Sequence, residues 1–242
     1  MAVSNLQKIS DAARDALLMN LETPDVALLK CSYNSQRNNR PIKTPGRTIF
    51  GSSQCSVTSI GIWMSGFAGA ADSDAYVYRI GNILGLGMFS SRNFVGLMQN
   101  ELNRFGVKGR VKQFNAASRD EIKRWIASGS PLLCSTRSID PPYKTWRRGY
   151  RPIGHFWPII GYTEKGVTAM DPYGDGTRRY RGGRSGKFIF YTWEQYDGWT
   201  LHTDIRARKL IGVVAPEPRV PFYSADEART LIARNNPGVA FE

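Results

Sequence analysis

The sequence has few histidines, few cysteines and no long apolar run. Its 242 residues include two histidines and three cysteines. Three cysteines without metal-like spacing exclude a disulfide framework, so we expect a free thiol in a reducing compartment. Glycine, serine or charged residues break every apolar run, which excludes a membrane-spanning helix. Because residues 1–8 lack a basic region followed by an apolar core, the sequence predicts no secretory signal and a cytoplasmic or virion-associated location.

Acidic residues are scarce relative to basic ones. The chain has 33 lysines and arginines against 20 aspartates and glutamates, a net charge of +13 at pH 7. This excess favours a polyanionic neighbour such as nucleic acid, an anionic cell-wall polymer or an acidic membrane face. Basic residues concentrate in residues 147–151 and 178–184. These segments are either nucleic-acid-contacting loops or solvated loops beside a cleft, and the second is favoured because no recognisable nucleic-acid-binding module accompanies them.

The remaining composition is that of a folded protein with many turns. Apolar residues make up 41% of the chain and glycines number 24, which excludes wholesale disorder. The length suits one domain with appendages. We predict an N-terminal helical extension over residues 1–30, a main domain over 31–214, and a Pro-containing tail with a short helix over 215–242.

Helical patterns dominate the first half of the chain and strand patterns the second. Ser118 with Glu121, and Ser224 with Glu227, have the spacing of capping boxes that begin helices. Helices are predicted at residues 4–21, 55–67, 72–83, 91–105 and 118–128, with a further short one in the tail. Strands are predicted at residues 132–136, 156–162, 167–170, 187–192 and 209–214. Helices followed by antiparallel strands indicate an α+β fold rather than an alternating α/β one.

Cys55 is the first residue of an apolar segment predicted to be a helix. The thiolate is the nucleophilic form of cysteine, and the unpaired N–H groups and dipole of a helix N-terminus stabilise it. The polar run Gly51–Gln54 gives a tight approach to this position. Cys31, in a polar segment, and Cys134, inside a predicted strand, are interpreted as small hydrophobic residues.

His155 is the better of two candidates for a base near this thiol. It directly precedes the apolar strand predicted over residues 156–162. A histidine at a strand start, with an acid on the next strand, is a good candidate for general acid–base chemistry. His202 lies in a polar segment that we predict to be peripheral.

Asp171 is the acid expected beside His155. The turn Thr163–Gly166 predicts a hairpin that places Asp171 opposite residue 158 or 159. Twist, or a bulge near Pro158, must then bring the carboxylate to the histidine. The alternatives are that Asp171 only ends a strand, or that Asp175 is the acid. A thiol, an imidazole and a carboxylate in this order favour an enzyme that attacks carbonyl carbon.

Four segments together resemble a known family. They are Ser35–Asn39, Gln54–Ser59, Gly154–Tyr162 and Met170–Asp175. Their residues and order resemble the papain-like cysteine peptidases related to bacteriocin-leader peptidases, many of which bacteria and phages encode. The resemblance covers roughly residues 30–214. It implies a papain-like α+β fold in which N-terminal helices pack on a C-terminal antiparallel sheet.

The resemblance also implies site residues. Cys55 would be the nucleophile, His155 the base and then the acid, and Asp171 the group that orients the imidazole. Gln36 would donate to the oxyanion together with the N–H of Cys55, and Gln54 is the alternative donor.

No cofactor and no metal are expected. Asp72 and Asp74 have no third ligand nearby in sequence, so they are interpreted as a helix N-terminus rather than a cation loop. Residues 140–151 are expected to rim the cleft. Four aromatic residues are either groove wall or core, and core is favoured: Trp157, Tyr173, Trp193 and Trp199.

The expected activity is hydrolysis of a peptide or isopeptide bond through an acyl-enzyme on Cys55. The substrate is left open between peptidoglycan that carries anionic polymer, attacked by a lytic enzyme delivered by a phage, and a protein precursor processed in a cell or virion. The alternative is a non-catalytic virion or complex subunit that keeps the fold for binding. Acyl transfer to an amine ranks third, and nucleic-acid binding as the main task ranks last.

Overall fold

The computed structural model describes residues 21–115, 118–136, 154–178, 183, 185–200 and 209–239. Six α-helices and nine β-strands lie in these ranges. The helices are α1 (Cys55–Ser65), α2 (Asp74–Leu84), α3 (Phe94–Arg104), α4 (Arg119–Ala127), α5 (Trp193–Thr200) and α6 (Ala225–Asn235). The strands are β1 (Val26–Leu28), β2 (Ile42–Thr44), β3 (Arg47–Ile49), β4 (Lys108–Asn115), β5 (Leu132–Thr136), β6 (His155–Thr163), β7 (Gly166–Ala169), β8 (Ile189–Thr192) and β9 (Lys209–Glu217).

An antiparallel sheet forms the centre of the described structure. Its strands run in the order β4-β9-β5-β6-β7-β8, and β1 pairs with the end of β6. β5 pairs with His155–Ile159 and β1 with Gly161–Thr163, so these two strands share one edge of β6. Helices packed on an antiparallel sheet confirm the α+β prediction.

β6 is the central strand because its sequence is apolar on both faces. Eight of its nine residues are buried. Successive side chains point to opposite faces of a sheet. Phe156 accordingly joins the core that α1, α2 and α3 form on one face, whereas Trp157 and Ile159 join the core with α4, α5 and α6 on the other.

α1 is buried on all sides. Ten of its eleven residues are buried. Hydroxyl groups are tolerated there because buried carbonyl oxygens accept from them. Ser56 donates to Met88 O, Thr58 to Gln54 O, and Ser59 to Phe156 O, each at 2.8–2.9 Å.

The sequence did not predict four of the strands, β1 to β4, or one of the helices, α5. β1, β2 and β3 have three residues each, too few for a periodic pattern. β2 and β3 form a hairpin within residues 31–53, whose Asn, Arg, Pro, Gly and Ser content is typical of a loop. β4 is an edge strand with lysine and arginine at alternate positions, a sequence that is typical of edges. Because β4 precedes α4, the predicted order of helices first and strands afterwards is only approximate. α5 occupies a segment with no predicted helix.

Several predictions fall outside the described residues. They concern the N-terminal helix over residues 4–21 except its last residue, the cleft rim over 140–151, the basic segment 147–151, most of the basic segment 178–184, and His202. The two predicted capping boxes are confirmed at the starts of α4 and α6. The division into an extension, a main domain and a tail stays a prediction. Each helix in the described ranges falls short of the length or the hydropathy that crossing a bilayer requires.

Candidate active site

Cys55 is the first residue of α1 and the most accessible of the three cysteines. A short 3₁₀ turn (Gly51–Ser53) leads into the helix, as the polar approach in the sequence predicts. Cys55 is partly exposed, whereas Cys31 and Cys134 are buried. Burial raises the pKa of the Cys31 thiol to about 12, so this thiol carries almost no thiolate at neutral pH.

His155 lies between the thiol and a carboxylate. Its Nε2 is 2.9 Å from Oδ1 of Asp171, and a further hydrogen bond joins its side chain to that of Cys55. The ring is 14% exposed. Burial lowers the pKa of His155, but the negative charge and hydrogen bond of Asp171 together with Cys55 outweigh it and raise that pKa to about 10. The imidazole is therefore held as imidazolium at neutral pH.

Asp171 is fully buried and held from several directions. Its Oδ1 also accepts from the Tyr173 N–H at 2.9 Å, and its Oδ2 accepts from the Tyr191 hydroxyl at 3.3 Å. Its main chain donates to Gly186 O at 2.9 Å and accepts from the Tyr33 hydroxyl at 3.1 Å. These contacts fix the carboxylate where it meets the imidazole.

A β-bulge brings the carboxylate to the histidine. In the β6–β7 hairpin Gly161 pairs with Thr168 but Ile159 pairs with Ala169, so one residue of β6 is extra. Met170 N then donates to Pro158 O at 3.0 Å, which carries Asp171 on towards Trp157 rather than residue 158. Trp157 and His155 are two residues apart and share a face. Of the two predicted ways of closing the gap, the bulge is present.

Ser59 connects α1 to β6 beside this pair. It lies one helical turn after Cys55, and its hydroxyl donates to Phe156 O at 2.8 Å. Phe156 adjoins His155 in the chain. The hydrogen bond therefore fixes the distance between the helix that carries the thiol and the strand that carries the imidazole.

Asp175, the rival acid, has a different role in the structure. Its Oδ1 accepts from the backbone N–H of Thr177 at 2.9 Å and from the Thr177 hydroxyl at 2.5 Å. It thereby caps the 3₁₀ turn Gly176–Arg178. The carboxylate that contacts His155 is that of Asp171.

The two candidate glutamines differ in how their amide donors are used. Gln54 Nε2 donates to Arg40 O and to Ile49 O, both at 2.9 Å, so its two N–H groups are occupied. Gln36 Nε2 donates to Gly51 O at 3.0 Å, on the turn that leads to Cys55. Both side chains are 1% exposed.

Of the three candidate groove aromatics whose side chains are described, Tyr173 borders the site. The Tyr173 ring is 6.4 Å from the His155 ring, and the Arg37 guanidinium lies 4.6 Å from the Tyr173 centroid. Trp157 and Trp193 are core residues, the alternative that the sequence analysis favoured over a groove wall. The side chain of Trp199 lies outside the described part.

Tyr33 and Tyr191 were missed by sequence reasoning. Both act on Asp171 from distant parts of the chain. Tyr191 lies in β8, where a tyrosine is typical of core packing, and Tyr33 lies outside any helix or strand. Nothing local in the sequence marks either residue as a neighbour of the site. Among the described side chains, no cluster of three or more His, Cys, Asp or Glu residues could hold a metal ion.

The model of the Peptidase_C39 like family matches residues 28–199. The chain belongs to this family. The match covers more than half of the chain and confirms the predicted relation to papain-like cysteine peptidases. All four motif segments, from Ser35 to Asp175, lie within the matched range.

One solved structure is also similar. It is a crystal structure described as a C39-like peptidase from Bacillus anthracis, 12% identical, covering 77% of this chain and 97% of its own, with a TM-score of 0.49. No curated protein matched the chain.

Proposed function

We propose that the protein is a thiol hydrolase that cleaves a peptide or isopeptide bond through an acyl-enzyme on Cys55. The observation that carries the proposal is the continuous line from Cys55 through His155 to Asp171. A partly exposed thiol at a helix N-terminus, beside an imidazolium, meets the requirements of an activated sulfur nucleophile.

The proton has a defined path in this arrangement. Because Nε2 of His155 bonds to Asp171, Nδ1 is the nitrogen that takes the proton of the Cys55 thiol. The thiolate attacks the carbonyl carbon, and the imidazolium then protonates the leaving amine as the C–N bond breaks. Water gives a proton to His155 and attacks the thioester, which releases the carboxylic acid and restores the thiolate of Cys55 beside the imidazolium.

We assign the oxyanion donors to the N–H of Cys55 and the amide of Gln36. Gln54 is the weaker candidate because both of its amide N–H groups are bonded to backbone carbonyl oxygens. Gln36 has one N–H group on Gly51 O and a second for the substrate oxygen. Gln36→Ala should lower kcat by about 100-fold, the usual effect of losing one such donor.

The test of the proposal is hydrolysis of denatured protein by the full chain and its cysteine variants. Cys55→Ala should abolish cleavage, whereas Cys31→Ala and Cys134→Ala should retain it if the protein folds. Cleavage that persists in Cys55→Ala would contradict the proposal.

The net charge of +13 supports a substrate or partner with negative charge. Two settings fit it: a phage-delivered lytic enzyme acting on peptidoglycan that carries anionic polymer, and a processing peptidase in the cytoplasm or a virion. A gel containing purified cell walls separates them, because clear zones are expected only for the lytic enzyme.

A further inference from the structure

An exposed apolar surface lies near the N-terminus of α1, and the proposed chemistry does not use it. We call it the hairpin surface and define it as Arg47, Phe50, Ile83, Leu86 and Phe89. Phe50 is 61% exposed, Ile83 56%, Leu86 52% and Phe89 49%. Large apolar side chains that remain this exposed in a group are typical of binding sites.

The segments that carry these side chains pack against one another. The β2–β3 hairpin rests on α2 through Ile42, whose side chain fills the space where Gly81 has no Cβ. The Arg47 guanidinium lies 5.1 Å from the centre of the Phe89 ring. The hairpin and the 3₁₀ segment Gly85–Phe89 therefore form one continuous surface.

This surface is tied to the first turn of α1. The hydroxyl of Ser56, next to Cys55, donates to Met88 O at 2.8 Å, and Phe89 is the following residue. Phe50 precedes the turn Gly51–Ser53, and its carbonyl accepts from Ser53 N at 2.9 Å. Hydrogen bonds therefore connect both sides of the hairpin surface to the turn that carries the thiol.

The surroundings of the hairpin surface are positively charged. Residues 26–71 contain five basic residues and no acidic one. Arg40, Lys43 and Arg47 of this stretch are all exposed on or beside the hairpin. A field of one sign around an apolar surface selects a partner that is both apolar and acidic.

We propose that the hairpin surface binds the substrate of the proposed hydrolase, and that this substrate is a polypeptide with both acidic and apolar side chains near the scissile bond. The inference rests on the proposed function for its connection to Cys55. The apolar side chains favour a polypeptide over an anionic wall polymer, whose charged repeating units lack apolar side chains to bury.

Binding to the full-length Cys55→Ala variant tests the inference without turnover. Fluorescence anisotropy would compare three labelled peptides of equal length: one that alternates Glu with Leu and Phe, one with Lys in place of Glu, and one with Ser in place of Leu and Phe. The first should bind about tenfold more tightly than either of the others, a difference of ~1.4 kcal/mol.

Substitutions on the surface should remove this preference. In the Cys55→Ala background, Phe50→Ser with Phe89→Ser should weaken binding of the Glu/Leu/Phe peptide about tenfold. Lys43→Glu with Arg47→Glu gives a second test that leaves the apolar side chains in place, with a similar loss expected. Phe222→Ser is the matched control, since Phe222 is 37% exposed and lies beside Leu29, near the other end of β6.

Equal affinity for the three peptides, unchanged binding by both surface variants, or tighter binding of polyglycerol phosphate than of the acidic peptide would overturn the inference. The proposed function is tested separately by alkylation of Cys55 in the unsubstituted protein. A reactive Cys55 without peptide binding defeats only the inference. Peptide binding without a reactive Cys55 leaves a docking surface and defeats the hydrolase.

Discussion

At the scale of single residues, the carboxylate of Asp171 is buried and held by hydrogen bonds. It is 0% exposed, and hydrogen bonds reach both of its carboxylate oxygens. A buried carboxylate needs such donors because water cannot solvate it. Its environment therefore determines how firmly the imidazole is held.

Tyr191→Phe tests this dependence. Removing the hydroxyl leaves Oδ2 of Asp171 without that donor, so we expect the free energy of unfolding to fall by about 1–3 kcal/mol. We also expect kcat/KM to fall about tenfold because the His155 ring is held less well. Denaturant unfolding and peptide hydrolysis measure the two effects.

Tyr162→Phe is the matched control. Tyr162 is a fully buried strand tyrosine whose hydroxyl has no hydrogen-bond partner in the described structure. Its loss should leave kcat/KM unchanged. An equal loss of activity in both variants would show that Tyr191 has no special relation to Asp171.

Cys55, His155 and Asp171 were all predictable from the sequence. With only two histidines, the choice of base was narrow, and a cysteine that begins an apolar helix differs from one inside a strand. The oxyanion role proposed for Gln36 rests on the family resemblance. Tyr33 and Tyr191 could not be predicted, because their contacts with Asp171 depend on how segments 20 or more residues away pack.

At the scale of elements, the site depends on how α1 is placed against β6. Ser59→Ala removes the hydrogen bond from α1 to Phe156 O and leaves a buried carbonyl oxygen without that donor. We expect a loss of about 1–3 kcal/mol in the free energy of unfolding. Because the thiol and the imidazole are then less well aligned, kcat should fall about tenfold while KM changes little.

Ser65→Ala separates alignment from stability. Ser65 lies at the other end of α1, and its hydroxyl donates to Ile62 O at 2.6 Å. Its loss should destabilise the protein by a similar amount without lowering kcat. If both variants lower kcat in proportion to their loss of stability, Ser59 has no role in alignment.

Elements with strong local signals were predictable, and those stabilised by distant partners were not. Ser118 and Ser224 begin helices through capping boxes that involve only four residues each. β4 has few apolar residues of its own and is a strand because β9 pairs with it along most of its length. A bulge near Pro158 was one of two predicted options, and the bulge lies between Ile159 and Gly161.

At the scale of the whole molecule, His155 couples folding to pH. Its pKa is about 10 in the folded protein, above the usual 6.5 expected when the chain is unfolded. Between these values the folded protein holds a proton that the unfolded chain lacks, so stability falls as pH rises. The stabilisation is complete below pH 6.5 and is lost as pH passes through about 10.

His155→Gln should remove this dependence. The difference in the free energy of unfolding between the unsubstituted protein and the variant should be largest near pH 6 and should shrink steadily towards pH 10. Urea unfolding of both proteins across this range measures it. A difference that is independent of pH would mean that His155 is not held as imidazolium.

The protein combines membership of a peptidase family with a large positive charge, and the fold by itself does not explain the charge. Residues 28–199 match a peptidase family, and the chain carries a net charge of +13. Fold does not determine substrate. We infer that the hairpin surface connects them, because its cationic and apolar side chains lie on segments hydrogen-bonded to the first turn of α1 or to the turn before it.

The central claim is that His155 activates the thiol of Cys55 and leaves the other two thiols inert. Its most direct test is mass-spectrometric mapping of iodoacetamide adducts on the native protein at near-neutral pH, with His155→Ala for comparison. We predict rapid alkylation of Cys55, little at the buried Cys31 and Cys134, and loss of the preference in His155→Ala. Equal alkylation of all three cysteines, or a Cys55 rate unchanged by His155→Ala, would contradict the account.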